Sequence, residues 1–136
     1  MDAIAPLLNG LSAFSLYFLI SLVALLLFKL VYTLCTPHNE WKLVKANNTS
    51  AACALAGAII GFSIALGSAA SNSVSLIDFA VWAFVALIAQ LIAYLIARLF
   101  MPQISQRIEA NELPAGLVLG ATSIAIGIIN AASMTY

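Results

Sequence analysis

Charge is what this sequence most lacks. Of its 136 residues only 7% are Asp, Glu, Lys or Arg, against 64% hydrophobic, and the mean hydropathy is +1.10. A water-soluble fold of this length cannot cover its surface with so few charges. A soluble domain is excluded and an integral membrane protein is expected. Five bases balance five acids, so bulk charge draws the chain neither to nucleic acid nor to an anionic membrane surface. There is one histidine, and the two cysteines, Cys35 and Cys53, lie outside any ligand-spaced pattern. No metal site and no cofactor are expected. A disulfide is not expected either, because the topology below puts both thiols on the reducing, cytoplasmic side. The opening stretch MDAIAPLLNG carries an acid and no base, so it lacks the positive region of a cleaved signal peptide and reads as part of a retained helix.

What is present is four long apolar runs, roughly 11–35, 50–70, 76–100 and 113–134, each near the 20 or so residues that a spanning helix needs. They show no alternation of period two, so a barrel is excluded. The expected fold is all-α, a polytopic membrane protein with four transmembrane helices in a single domain over 1–136. The basic residues Lys29, Lys42, Lys45, Arg98 and Arg107 all fall in or beside the connections between spans 1 and 2 and between spans 3 and 4. By the positive-inside rule those connections are cytoplasmic and both termini are periplasmic or extracellular. Lys29 lies within the first span, and its stem is expected to snorkel to the inner interface. Tyr32, Trp41 and Phe100 mark that interface; Tyr17, Trp82 and Tyr136 mark the outer one.

The second half echoes the first. A shift of 64 pairs Ala46, Asn47, Ala51, Leu55, Ile60 and Ile64 with Ala110, Asn111, Ala115, Leu119, Ile124 and Ile128. Each half runs from a bulky helix through a proline (Pro37, Pro102), a short polar segment and an Ala-Asn pair to a helix rich in small residues. Two tandem repeats of two helices are expected, 11–70 and 76–134, entering the membrane in the same direction and related by an axis along its normal. After Pro37, Trp41 and Val44 share a helical face while Lys42 and Lys45 take another. After Pro102, Ile104 and Ile108 are four apart beside Gln103, Gln106 and Arg107. Both segments are predicted to be short interfacial helices, with proline in the first turn, Thr36 as a cap, and Asn47 and Asn111 capping the spans that follow.

Small residues predict which helices meet. Cys53, Gly57, Gly61, Ala65 and Ala69 recur every four residues, and Gly116, Gly120, Gly127 and Ala131 line the fourth span. Lipid offers no hydrophobic force between helices, so close backbone approach drives association. Spans 2 and 4 should form the packed centre. Span 3 offers Ala83, Ala86, Gln90, Ala93 and Ala97 on one face, and an amide there must meet protein or water. Gln90 and Asn130 are the candidate intramembrane polar residues. Asp78 follows Ser75 at capping-box spacing.

No nucleophile, base and acid set stands out, and no phosphate-cradling loop is present. His38 with Glu40 could form an acid–base pair, but an interfacial turn explains the neighbouring polar residues equally well. The membrane interior is expected to hold no carboxylate, which argues against proton or cation coupling. An enzyme is not expected.

The strings TPHNEWKLVKANNTSAA, AQL, RLFMP and GIINAASMT resemble those of the YjfL-type bacterial inner-membrane proteins, a family of unknown function, along nearly the whole chain. The resemblance implies a four-span inner-membrane protein of two repeats and supplies no activity. Its members accompany membrane-remodelling proteins of the phage-shock type and ATP-grasp amide ligases, which implies a role in membrane stress or envelope maintenance. Lys29 departs from the apolar residue expected there.

Two functions follow. One is a non-enzymatic membrane module, a homo-oligomer in the lipid bilayer, presenting His38, Asn39, Glu40, Trp41 and Arg107 to a cytosolic, membrane-associated protein. The other is an oligomeric channel or facilitator for a small solute, using Gln90 and Asn130.

Overall fold

A computed structural model describes residues 3–134. It is all-helical, with four long helices and two short ones: α1 (Ile4–Cys35), α2 (Glu40–Lys45), α3 (Thr49–Asn72), α4 (Leu76–Phe100), α5 (Ile104–Glu109) and α6 (Leu113–Ser133). Among the described residues the four long helices are long and apolar enough to cross a membrane. Tyr136, assigned to the outer interface, lies outside the described residues.

α1 begins seven residues earlier than the apolar run suggests. Pro6 falls within its first turn, where a missing N–H has no partner to lose. Its 32 residues span about 48 Å, well beyond a hydrocarbon core of about 30 Å. α1 is also the most peripheral helix. Only Phe28 and Tyr32 are buried; Phe28 stacks on Phe62 of α3 at 4.3 Å between centroids, and Tyr17 meets Phe79 of α4 at 5.3 Å.

The packed centre is α3 against α6. A Cβ on Gly57 would run into the backbone of Gly120, one on Gly127 into Gly61, and one on Gly116 into Ser50. Gly61 faces the Ser123 carbonyl, and Gly120 faces that of Cys53. All five glycines of the sequence pattern therefore sit where two backbones touch, which is how helices gain dispersion contact in lipid. On α4, Ala86, Gln90, Ala93 and Ala97 are buried against this centre, as the alanine face requires. Ser75 accepts from the Asp78 N–H (3.1 Å), and Asp78 accepts in turn from Val74 N–H (3.0 Å).

The short helices differ from the sequence reading at their ends. Pro37 and Pro102 lie in the turns before α2 and α5 rather than in their first turns. Proline drives the preceding residue to extended backbone, and Thr36 has φ −87°, ψ 141°. Thr36 therefore closes α1: its hydroxyl lies within reach of the Tyr32 and His38 carbonyls (3.1 and 3.2 Å). The N-cap of α2 is Asn39, which accepts from Lys42 N–H at 3.1 Å.

Nor do Asn47 and Asn111 cap α3 and α6. Both have positive φ, 65° and 60°, a conformation that asparagine tolerates better than most residues. Each ends a short helix. Asn47 N–H reaches the Val44 carbonyl and Asn48 N–H the Leu43 carbonyl (3.0 and 2.9 Å). Asn111 and Glu112 repeat the pattern onto Ile108 and Arg107 (2.9 and 3.0 Å). This is the Schellman closure. The N-caps proper lie one residue on, at Asn48 and Glu112.

Candidate functional site: a buried acid–base chain at the elbow end

The two turns with their short helices form the elbow end of the bundle. In the first, Thr36–Asn39 is a bent, non-helical turn leading into α2, with extended backbone at its two ends, Thr36 (φ −87°, ψ 141°) and Asn39 (φ −87°, ψ 94°). Thr36, His38 and Glu40 are buried in it, and Pro37 and Asn39 are exposed. His38 is 1% exposed and Glu40 0%. Helical periodicity does not apply to Thr36–Asn39.

Inside the bundle the His38 imidazole bridges two groups. Its Nε2 lies 2.8 Å from Glu40 Oε1, and its Nδ1 lies 2.9 Å from Ser105 Oγ at the start of α5. Ser105 Oγ is 2.5 Å from the Tyr94 hydroxyl of α4. With Glu40 ionised, the hydrogen bonds have one consistent direction. Tyr94 donates to Ser105, Ser105 donates to Nδ1, and Nε2–H donates to the carboxylate. Every interior member of this chain donates and accepts at once.

The second carboxylate oxygen, Glu40 Oε2, is buried and has no hydrogen-bond partner. Burial pushes the Glu40 carboxyl above its ordinary value, and the hydrogen bond from the His38 imidazole draws it partly back. Desolvation wins because a half-satisfied carboxylate away from water is costly. The protein interior therefore holds a carboxylate: Glu40 belongs to no span, yet α2 carries it inward.

Beyond Glu40 the polar interior continues. Tyr32 of α1 lies within electrostatic reach of Glu40 and Tyr94, and its hydroxyl sits beside that of Ser123 without closing a hydrogen bond. Gln90 Nε2 donates to the Ser123 carbonyl at 3.0 Å, beside the bare backbone of Gly61. Gln90 thus bonds across helices inside one protomer. Asn130 is half-buried, and its side-chain oxygen has no partner.

The five residues proposed to meet a partner do not share one surface. Asn39 and Trp41 are exposed. The Trp41 ring lies under Lys29 Nζ at 4.3 Å and near Lys45 Nζ at 5.5 Å, so Lys29 reaches toward the elbow end. Arg107 is partly exposed and pairs with Glu112 at 3.0 Å. His38 and Glu40 are inside, His38 from the bent turn and Glu40 from the first position of α2. Tyr32, Tyr94, Ser105 and Ser123 were not singled out as site residues from sequence. The spacing of Thr36, His38 and Glu40 around a proline was the available signal for the inward face. Nothing local marks Ser105, which lies 67 positions from His38. Among the described residues no group of three or more His, Cys, Asp or Glu could hold a metal ion, and both cysteines are free.

Four long apolar helices packed through small residues, with both short helices at one end, define an integral membrane protein of the polytopic helical class. The chain matches the family described as Domain of Unknown Function (DUF350) over residues 6–134, and it belongs to that family. It is 43% identical over 130 residues to the UPF0719 inner membrane protein YjfL of Escherichia coli K12, covering 96% of this chain and 98% of that protein. The same figures hold for the protein of that name from Escherichia coli O157:H7. No solved structure matches. The chain is thus an inner-membrane protein of an uncharacterised family.

Proposed function

We propose that the protein is a non-enzymatic module of the inner membrane that holds a rigid elbow end toward the cytoplasm for a soluble, membrane-associated partner in envelope maintenance. The observation that carries this reading is the division of the elbow's polar residues. His38, Glu40, Asn48, Ser50 and Ser105 turn inward and fasten the frame, while Asn39, Trp41, Lys42 and Lys45 turn outward. Ser105 is held between His38 and Tyr94 at 9% exposure, which leaves its hydroxyl poorly placed as a nucleophile for a substrate. Copies associate through α1, which has little buried surface of its own and a long apolar face to offer. The paired halves, related by an axis along the membrane normal, belong to the same proposal.

The test is site-specific photo-crosslinking in intact cells. A photoreactive residue at 39 or 42 should capture a soluble protein, and one at lipid-facing position 128 should not. Equal capture at all three positions, or none at 39 and 42, removes the docking role. Orientation is read separately in a Cys35→Ser/Cys53→Ala background. Asn39→Cys should react with an impermeant maleimide only once the inner membrane is opened, and Val74→Cys should react without opening it.

The facilitator reading ranks second. Its support is the run of unpartnered polar atoms at Gln90, Ser123 and Asn130. Gln90 is fully buried within the protomer, which disfavours a path between copies. Unchanged solute flux in Gln90→Leu would dispose of it.

A further inference from the structure

Of the six buried side-chain polar atoms without partners among the described residues, four are Tyr32 Oη, Glu40 Oε2, Gln90 Oε1 and Ser123 Oγ; the other two, on Thr33 and Asn130, belong to part-exposed residues. All four residues are 0% exposed. They come from α1, the first elbow, α4 and α6: Tyr32 approaches Ser123, Gln90 bonds to the Ser123 carbonyl, and Glu40 lies within electrostatic reach of Tyr32. Isolated polar atoms in such a setting are expensive, and native interiors satisfy nearly all of them. The four form a matched set. The two hydroxyls donate, and the carboxylate and amide oxygens accept. A water molecule accepts two hydrogen bonds and donates two, and buried waters occupy sites of this kind.

We propose that this cluster holds an internal water and that Glu40 beside it is a proton-binding site, reached from the elbow surface through Tyr94, Ser105 and His38. Ser105 and Tyr94 are 9% and 5% exposed, the residues of the chain nearest to solvent. Proton uptake moves every proton one place. One arrives at the Tyr94 oxygen as its own passes to Ser105. The Ser105 proton passes to Nδ1, and the Nε2 proton passes to Glu40 Oε1. Tyr94, Ser105 and His38 end with as many protons as they began with, and Glu40 becomes neutral. No bond between heavy atoms changes, and no redox partner is needed. The water then accepts from, or donates to, the far side of the carboxyl according to its charge.

Few other charges bear on Glu40. α1 presents Tyr32, and its Lys29 is turned to Trp41. The elbow presents His38 and α4 presents Tyr94. The cation of α5, Arg107, is engaged by Glu112. α3 and α6 contribute only neutral Ser50 and Ser123. The position equivalent to Glu40 under the 64-residue shift is Ile104, which is also buried. An apolar residue therefore fills that place in the second elbow, so burial there does not call for a carboxyl.

The experiment is infrared difference spectroscopy of the full chain in lipid nanodiscs across a pH series. The protein should show the carbonyl band of a protonated buried carboxyl, persisting above the pH at which exposed carboxyls have ionised. Glu40→Gln should abolish the band. Ser105→Ala should keep its amplitude and slow its appearance after a pH jump. Glu109→Gln/Glu112→Gln leaves Glu40 as the sole glutamate without disturbing the interior. With glutamate labelled by 13C at the side-chain carboxyl, the band of that variant must shift, so the assignment stands even if Glu40→Gln fails to fold. Absence of the band, no isotope shift, a response to sodium rather than pH, or an unchanged rate in Ser105→Ala would overturn the proposal.

Discussion

The two elbows reverse the chain in the same way and do different chemistry. Both short helices are six residues long and end in an asparagine at positive φ with the same pair of closing hydrogen bonds. Beyond that they diverge. Asn48 caps α3 through the Ala51 N–H and also donates to the Ile108 carbonyl of the other elbow (both 2.8 Å). Its counterpart Glu112, at the N-cap of α6, makes no side-chain cap bond and turns its carboxylate to Arg107. Asn111 accepts from Ser50 N–H at 3.1 Å. Asn47 has no equivalent donor, because the residue matching Ser50 is Pro114, which lacks an N–H. What the elbows share is backbone conformation, and what distinguishes them is which buried polar group each one supplies.

Substitutions at matched positions should expose this asymmetry. The largest effect is expected at Asn48→Ala, which loses a helix cap and a clamp between elbows and should cost about 2 kcal/mol. Glu112→Ala should change stability little, because an exposed ion pair contributes about 0–1 kcal/mol. Equal losses in denaturant unfolding from mixed micelles would mean that the caps are equivalent after all. Next come Asn111→Ala and Asn47→Ala. Both place alanine in left-handed backbone, at about 1 kcal/mol, but only Asn111→Ala also strips a bond from the start of α3, so it should unfold first.

The third effect is a slope with pH. The Glu40 carboxyl in the folded chain holds its proton above the ordinary carboxyl value, where the unfolded chain has released its own. Between those two values the native state binds more protons, so stability falls as pH rises through that window. Glu40→Gln should flatten this part of the Tm against pH profile, whereas Ile104→Val in the other elbow should lower Tm and leave the slope intact. The smallest change is expected at Trp41→Leu, which removes the ring under Lys29 and should cost about 0.5–1 kcal/mol, read as a fall in Tm of a degree or two.

Much of the bundle was legible because lipid imposes simple rules. The length of an apolar run sets a span, and small residues set which helices touch. Gly57, Gly61, Gly116, Gly120 and Gly127 could be placed at one crossing from their spacing alone. Helix ends were harder to read. Asn47 and Asn111 have the composition of caps, yet positive φ assigns them to the ends of α2 and α5 and moves capping one residue on. The elbow site was legible only in its first half. Reading TPHNEW as one helix from Thr36 misplaces His38, because Thr36–Asn39 is a bent turn and α2 begins only at Glu40. Ser105 carries no local mark, because its partner on the other elbow is fixed by the docking of α5.

By itself, then, the sequence determined the spans, their small-residue contacts and the presence of two proline-led elbows, since each depends on local composition and on a solvent that tolerates no unpaired backbone. Only the tertiary structure decided that His38 and Glu40 lie inside and Asn39 and Trp41 outside. It also decided that Tyr32, Tyr94, Ser105, Gln90 and Ser123 gather around them. That assembly depends on where five separate elements cross, and no single stretch of chain specifies it.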